Sequence, residues 1–252
     1  MKPRHAVAIS LGALLCPLIL SAQEPAPTVH AVYYQCDQTV DSRADQVVRE
    51  SFAPVFDLHL QAGRISAWGW IAHRAGGPWR RVLYWIAPGR DALLDATDRI
   101  TEELNRNHPE ASQALATACP LHDDYIWRSV AASEQTAEVG LDRPTASLST
   151  YYECEMAEEA RADALVSEVF APVFDRHVAA GHIKGWSWLA HDVGGKLRRL
   201  AIFDGLDHKT ILNGRDMIIS ELSSEAAEAM GEFSAICDEH VDYMWNILMS
   251  RP

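Results

Sequence analysis

Phe52-Ala53-Pro54-Val55-Phe56-Asp57 is spelled a second time, unchanged, at Phe170–Asp175. The same offset, 118 residues (151 − 33 for the tyrosine pair), carries Tyr33-Tyr34-Gln35-Cys36 onto Tyr151-Tyr152-Glu153-Cys154 and holds to the end of the chain without a gap. Trp68, Trp70, Ala72 and His73 return as Trp186, Trp188, Ala190 and His191, and Cys119, His122, Asp124, Tyr125 and Trp127 return as Cys237, His240, Asp242, Tyr243 and Trp245. Solenoid units run to about 20–50 residues, so a repeat near a hundred residues long is a duplicated domain.

One copy can be read outward from the quoted stretch. Ala44, Val48, Phe52, Val55, His59 and Ala62 fall at four- and three-residue steps, which predicts a helix over 43–61 with these six on one face. All six recur as Ala162, Val166, Phe170, Val173, His177 and Ala180. Pro54 and Pro172 lie inside this helix and predict a lost hydrogen bond and a kink. Gly63 and Gly181 stand where the helix stops. Before it, 30–36 reads as a strand; after it, 65–73 alternates as a strand, Gly76-Gly77 turns, and 80–86 returns. A helix over 91–105, a shorter helix leading to Cys119 and a last strand over 124–128 complete the order strand, helix, strand, strand, helix, strand.

That order predicts an α+β chain of two tandem ferredoxin-like (βαββαβ) repeats, over 30–130 and 150–250, joined by a polar linker over 131–149. Trp68 and Trp70 share one sheet face, opposite the small residues Ala67 and Gly69. Helices pack closely on small residues, so the helices are expected over Ala67 and Gly69, leaving the tryptophan face bare in a single copy. A soluble chain avoids such an exposed apolar patch, and two copies can bury it against each other as an intrachain pseudo-dimeric barrel. In element order, tryptophan strand and FAPVFD helix the chain resembles the dimeric α+β-barrel superfamily, which includes antibiotic-biosynthesis-monooxygenase-like and NIPSNAP-like proteins. The resemblance covers about 33–130 and 151–248, and it implies a fused pair in place of the usual dimer.

Residues 1–22 read as a secretory signal peptide: Lys2 and Arg4, an apolar run from Ala6 to Leu20, then Ser21 and Ala22. The expected location is periplasmic or secreted. The formal net charge is −13 and no basic cluster exceeds an arginine pair, which argues against nucleic acid or an anionic membrane as partner. Cys36, Cys119, Cys154 and Cys237 permit three pairings, and the repeat favours Cys36–Cys119 and Cys154–Cys237.

His59 and His177 continue the apolar stripe of their helices, as buried structural histidines or as catalytic bases beside a pocket. His73 and His191 end one strand while Arg80-Arg81 and Arg198-Arg199 open the next, at the same sheet edge. An ion pair with a helix carboxylate is the simpler role for the arginines, and a bound anion the other. Cys119-x-x-His122 invites a zinc reading, but an oxidising compartment bridges the cysteines, so no metal is expected. No phosphate loop, haem-attachment motif, nucleophile elbow or His-Glu-x-x-His is present, and no cofactor is expected. The leading expectation is an exported small-molecule-binding protein, monomeric, whose apolar or aromatic ligand lies between the repeats against Trp68, Trp70, His73, Tyr125, Trp186, Trp188, His191 and Tyr243. One alternative is a cofactor-independent oxygenase or isomerase, as the resemblance implies. The other is a structural or interaction module with a filled barrel core.

Overall fold

The FAPVFD stretch forms a helix with a defect built into it. Helix α1 (Asp41–Val47) passes into a π-helical turn (Val48–Phe52) and then into α2 (Ala53–Gln61). Pro54 has no N–H to give, and the Ala53 N–H just before it reaches back five residues to the Val48 carbonyl. The defect predicted from the proline is therefore absorbed as a wide turn. Gly63, at φ 67°, closes the helix, and Gly181, at φ 75°, does so in the second repeat. Of the predicted stripe, Ala44, Val48, Phe52, Val55 and His59 are buried, whereas Ala62 falls at the fraying end and is exposed.

The computed structural model describes residues 25–133 and 143–252; the expected signal peptide over 1–22 and the middle of the expected linker, 134–142, lie outside them. Around α1–α2, repeat 1 comprises β1 (Pro27–Gln35), β2 (Ala67–Ala75), β3 (Arg81–Pro88), α3 (Arg90–Asn107), α4 (Pro109–Ala118) and β4 (Leu121–Ala132). Repeat 2 comprises β5 (Ala146–Glu153), α5 (Glu159–Leu165), a second π-turn (Val166–Phe170), α6 (Ala171–Ala179), β6 (Gly185–Val193), β7 (Arg199–Gly205), α7 (His208–Glu225), α8 (Ala227–Ile236) and β8 (Glu239–Arg251). Strands β4 and β5 run further into the 131–149 stretch than its polarity suggests. Pairing extends them: Ala132 faces Ser187 on β6 and Ala146 faces Asn246 on β8.

The eight strands close into one antiparallel barrel in the order β1-β3-β2-β8-β5-β7-β6-β4. The sequence of equivalents repeats in the same rotational sense, so the pseudo-twofold axis runs along the barrel and equivalent strand ends meet at the same mouth. Each β1-type strand lies beside its own repeat's last strand, which brings Cys36 to Cys119 and Cys154 to Cys237, and both disulfides form. No helix among the described residues is long and apolar enough to cross a membrane.

The tryptophans correct one expectation. Trp68 and Trp70 are fully buried, but among Val48, Phe52, Val55 and Phe56 of the helices, outside the barrel. Trp186 and Trp188 pack likewise with Phe170 and Val173. The faces are thus the reverse of the predicted ones: the helices cover the tryptophans, and Ala67 and Gly69 face the lumen. Small residues on β2 give room to the large side chains that cross the barrel from other strands.

Candidate functional site

The helix–sheet layer is tied by hydrogen bonds to carboxylates. Trp68 Nε1 donates to Asp57 (2.9 Å) and Trp70 Nε1 to Asp45 (2.8 Å). Asp45 also takes both Nε and Nη2 of the buried Arg81, at 2.7 and 2.8 Å. Repeat 2 copies this with Trp186–Asp175, Trp188–Asp163 and Arg199–Asp163. The second arginine of each pair therefore meets a helix carboxylate, and these four tryptophans line no space between the repeats.

His59 and His177 are buried between helices rather than beside the lumen. His59 Nε2 lies 3.2 Å from Glu103 of α3, and His177 Nε2 lies 2.9 Å from Glu221 of α7. His73 and His191 sit nearer the barrel. Arg80 donates to His73 Nδ1 (2.7 Å) and Arg198 to His191 Nδ1 (2.8 Å), while each imidazole stands edge-on to the Tyr–Trp pair of the other repeat. Burial, then the adjacent arginine, lowers the pKa of both, which favours neutral rings.

The lumen itself has two unlike ends. At the end carrying the β2–β3 and β6–β7 hairpins, aromatic rings fill it. Tyr125 stacks on Trp127 and Tyr243 on Trp245, each with centroids 5.0 Å apart, and Trp79 stacks on Tyr33 (4.2 Å) and Tyr243 (5.0 Å). Tyr33 and Tyr151 meet edge to face at the centre, 5.6 Å apart, and Trp127 Nε1 donates to Tyr33 Oη at 3.2 Å. All these side chains are buried. Of the residues expected to line a pocket, Tyr125 and Tyr243 do face the interior, as parts of this plug.

At the opposite end the register points Val29, Tyr84, Ile86, Ser187, Ile202 and Asp204 into the lumen, yet all remain only half-buried. The barrel is therefore not plugged at this end, and these side chains keep contact with solvent. Burial raises the Asp204 carboxyl to a pKa of about 6, with a hydrogen bond from Ser147, its cross-strand neighbour, acting the other way. Burial also pushes the Tyr84 hydroxyl up to about 12, with Asp204 adding to the rise and a hydrogen bond to Ser250 opposing it. Sequence reading missed Tyr84 and Asp204. The available signal was a carboxylate, Asp204, closing the apolar run Leu200–Phe203 where the first copy has Ile86.

No protein-family model matches the chain, and no curated protein matches it. Solved structures do. A candidate monooxygenase from Lactobacillus acidophilus NCFM superposes with a TM-score of 0.61 at 7% identity, over 89% of this chain and 95% of its own. An anthrone oxidase-like protein gives 0.56 at 11% identity, over 92% and 95%. A mutant chlorite dismutase from Candidatus Nitrospira defluvii gives 0.51 at 11%, over 90% and 92%. The chain has the fold of the chlorite-dismutase/antibiotic-biosynthesis-monooxygenase superfamily of dimeric α+β barrels, with both halves in one polypeptide.

Proposed function

We propose that the chain is an enzyme of the cofactor-independent oxygenase or isomerase type, acting on an apolar or aromatic small molecule held in the open end of the barrel. One observation carries this reading: the lumen is plugged by aromatic rings at one end only, and at the other its wall presents half-buried apolar side chains with a few polar groups among them. Ligand sites have this composition. The names of the similar structures, a candidate monooxygenase and an anthrone oxidase-like protein, support the reaction class. Fold alone does not fix an activity, so the support lies in fold and chamber together. Such chemistry begins by removing a proton from the substrate. The resulting anion then reacts with dioxygen in an oxygenase, or takes the proton back at another carbon in an isomerase. The two disulfides suit the oxidising compartment to which the N-terminal segment would direct the chain.

The test is native mass spectrometry of protein purified from its own compartment. A co-purifying apolar or aromatic compound is expected, and Ile202→Trp, which fills the chamber from β7, should release it. Full occupancy in that variant would put the site elsewhere. A compound that binds and leaves unchanged would make the protein a carrier.

A further inference from the structure

The two repeats agree at the plugged end and disagree at the open one. Tyr33 and Tyr151, Trp127 and Trp245, Tyr125 and Tyr243 are identical across the pseudo-twofold axis. At the open mouth Ile86 stands against Asp204, Tyr84 against Ile202 and Val29 against Ser147. Strands β3 and β7 lie opposite each other in the barrel order, so Tyr84 and Asp204 approach the chamber from facing walls. The duplication therefore produces one chamber with one carboxyl, not two equivalent sites.

We propose that Asp204 is the proton acceptor of a single catalytic site per chain, taking a proton from a substrate C–H bond that an adjacent carbonyl acidifies, with the Tyr84 wall facing it across the lumen. The assignment rests on the proposed function and names its base. In the step, the substrate C–H bond breaks, its electron pair moves toward the carbonyl to leave an enolate, and the proton passes to a carboxylate oxygen of Asp204. The carboxylic acid later gives the proton back to the enolate or to solvent. Nothing is oxidised in this step.

Three features of the chain fit the role. Asp204 is half-buried on the lumen wall, burial and the Ser147 hydrogen bond account for the shift of its carboxyl, and no ion pair holds it among the described residues. A carboxylate tied to an arginine is a poor base, and Asp45 and Asp163 are tied in that way; Asp204 is not. Its pKa of about 6 leaves it ionised at neutral pH but far more basic than a surface aspartate. Of the groups facing it, Tyr84 on β3 is titratable, whereas β5 and β6 offer Ser147 and Gly185.

Anthrone is a suitable probe, since its CH2 is activated by a ring carbonyl. Exchange of that CH2 in deuterated buffer under argon isolates proton transfer from oxidation, and binding is followed separately by calorimetry. The intact wild-type chain is expected to bind one anthrone per chain and to accelerate exchange. Asp204→Asn, with Asp204→Ile as a second variant carrying the residue of the equivalent position, is expected to bind anthrone while exchange falls at least about 100-fold, the low end of what a positioned base supplies. Exchange undiminished in variants that still bind would overturn Asp204 as the base and leave the aromatic-binding chamber standing. Two equivalents bound per chain would overturn the single site. No binding by the wild type would overturn the chamber reading and this assignment together.

Discussion

The ring of Tyr84 on β3 lies across Gly69 on β2, so closely that a Cβ on the glycine would stand 2.5 Å from the Tyr84 hydroxyl. In repeat 2 the equivalent positions hold Ile202 and Ser187, a smaller residue over a larger one. Each pair is a matched set. Gly69→Ser should destabilise the protein by about 1–3 kcal/mol through overpacking, and adding Tyr84→Ile should recover most of it. Urea titration of the four members of this cycle gives the coupling; strict additivity would mean that the ring moves aside freely.

Asp45 serves two donors at once, Trp70 and Arg81. Asp45→Ala leaves a buried guanidinium with only Asp41 as a carboxylate partner, and removing one member of a buried pair costs about 3–5 kcal/mol. Asp163→Ala should behave alike in repeat 2. Thermal unfolding of the two variants checks both, and a loss below about 1 kcal/mol in either would show that the layer rests on apolar packing alone.

Asp204 makes stability depend on pH in the sense opposite to a salt-bridged carboxylate. Its folded pKa of about 6 lies above the ordinary 3.8, so the folded chain holds the proton longer than the unfolded one. Stability is then greatest below pH 4 on this group's account and falls as pH rises to 6, by at most roughly 3 kcal/mol. Asp204→Asn should remove that slope and be the more stable protein at pH 7. Denaturant midpoints at pH 4, 5, 6 and 7 test this; parallel curves for wild type and variant would refute it.

His59 and His177 hold α2 to α3 and α6 to α7 through Glu103 and Glu221. His59→Ala and His177→Ala should each cost about 1–3 kcal/mol, since a buried, packed imidazole and its hydrogen bond to the part-exposed glutamate are lost together. Anthrone affinity should stay unchanged, because neither ring reaches the lumen. A tenfold weaker complex in a variant that remains folded would return the histidines to the site.

The duplicated order of elements, the two disulfides and the closed barrel are legible in the sequence because each follows from spacing and topology. The side on which Trp68 and Trp70 lie is not. Alternation along β2 says which residues share a face, never which face meets the helices. The decisive groups were elsewhere: Asp45 and Asp57 on the helix, each an acceptor for an indole N–H, and Tyr84, whose ring needs Gly69 to be bare. Placing the tryptophans on the wrong side also hid the chamber, since its walls are the strand positions taken for helix-packing surface. Asp204 was missed because nothing in a local window separates it from a surface aspartate at a strand end.

With the pseudo-twofold axis running down the barrel, a barrel made of two identical chains would show any molecule on that axis the same side chain twice. Such a lumen is blind to which way up a flat guest lies. Joining the halves in one polypeptide lifts that restriction, and here one wall carries Asp204 while the matching wall carries Ile86. A planar guest lying along the axis then presents one face at a time to the carboxylate, and its two orientations are no longer equivalent. A reaction at a prochiral carbon in this lumen should accordingly give unequal amounts of the two enantiomers, where a symmetric barrel would give equal amounts from such a guest.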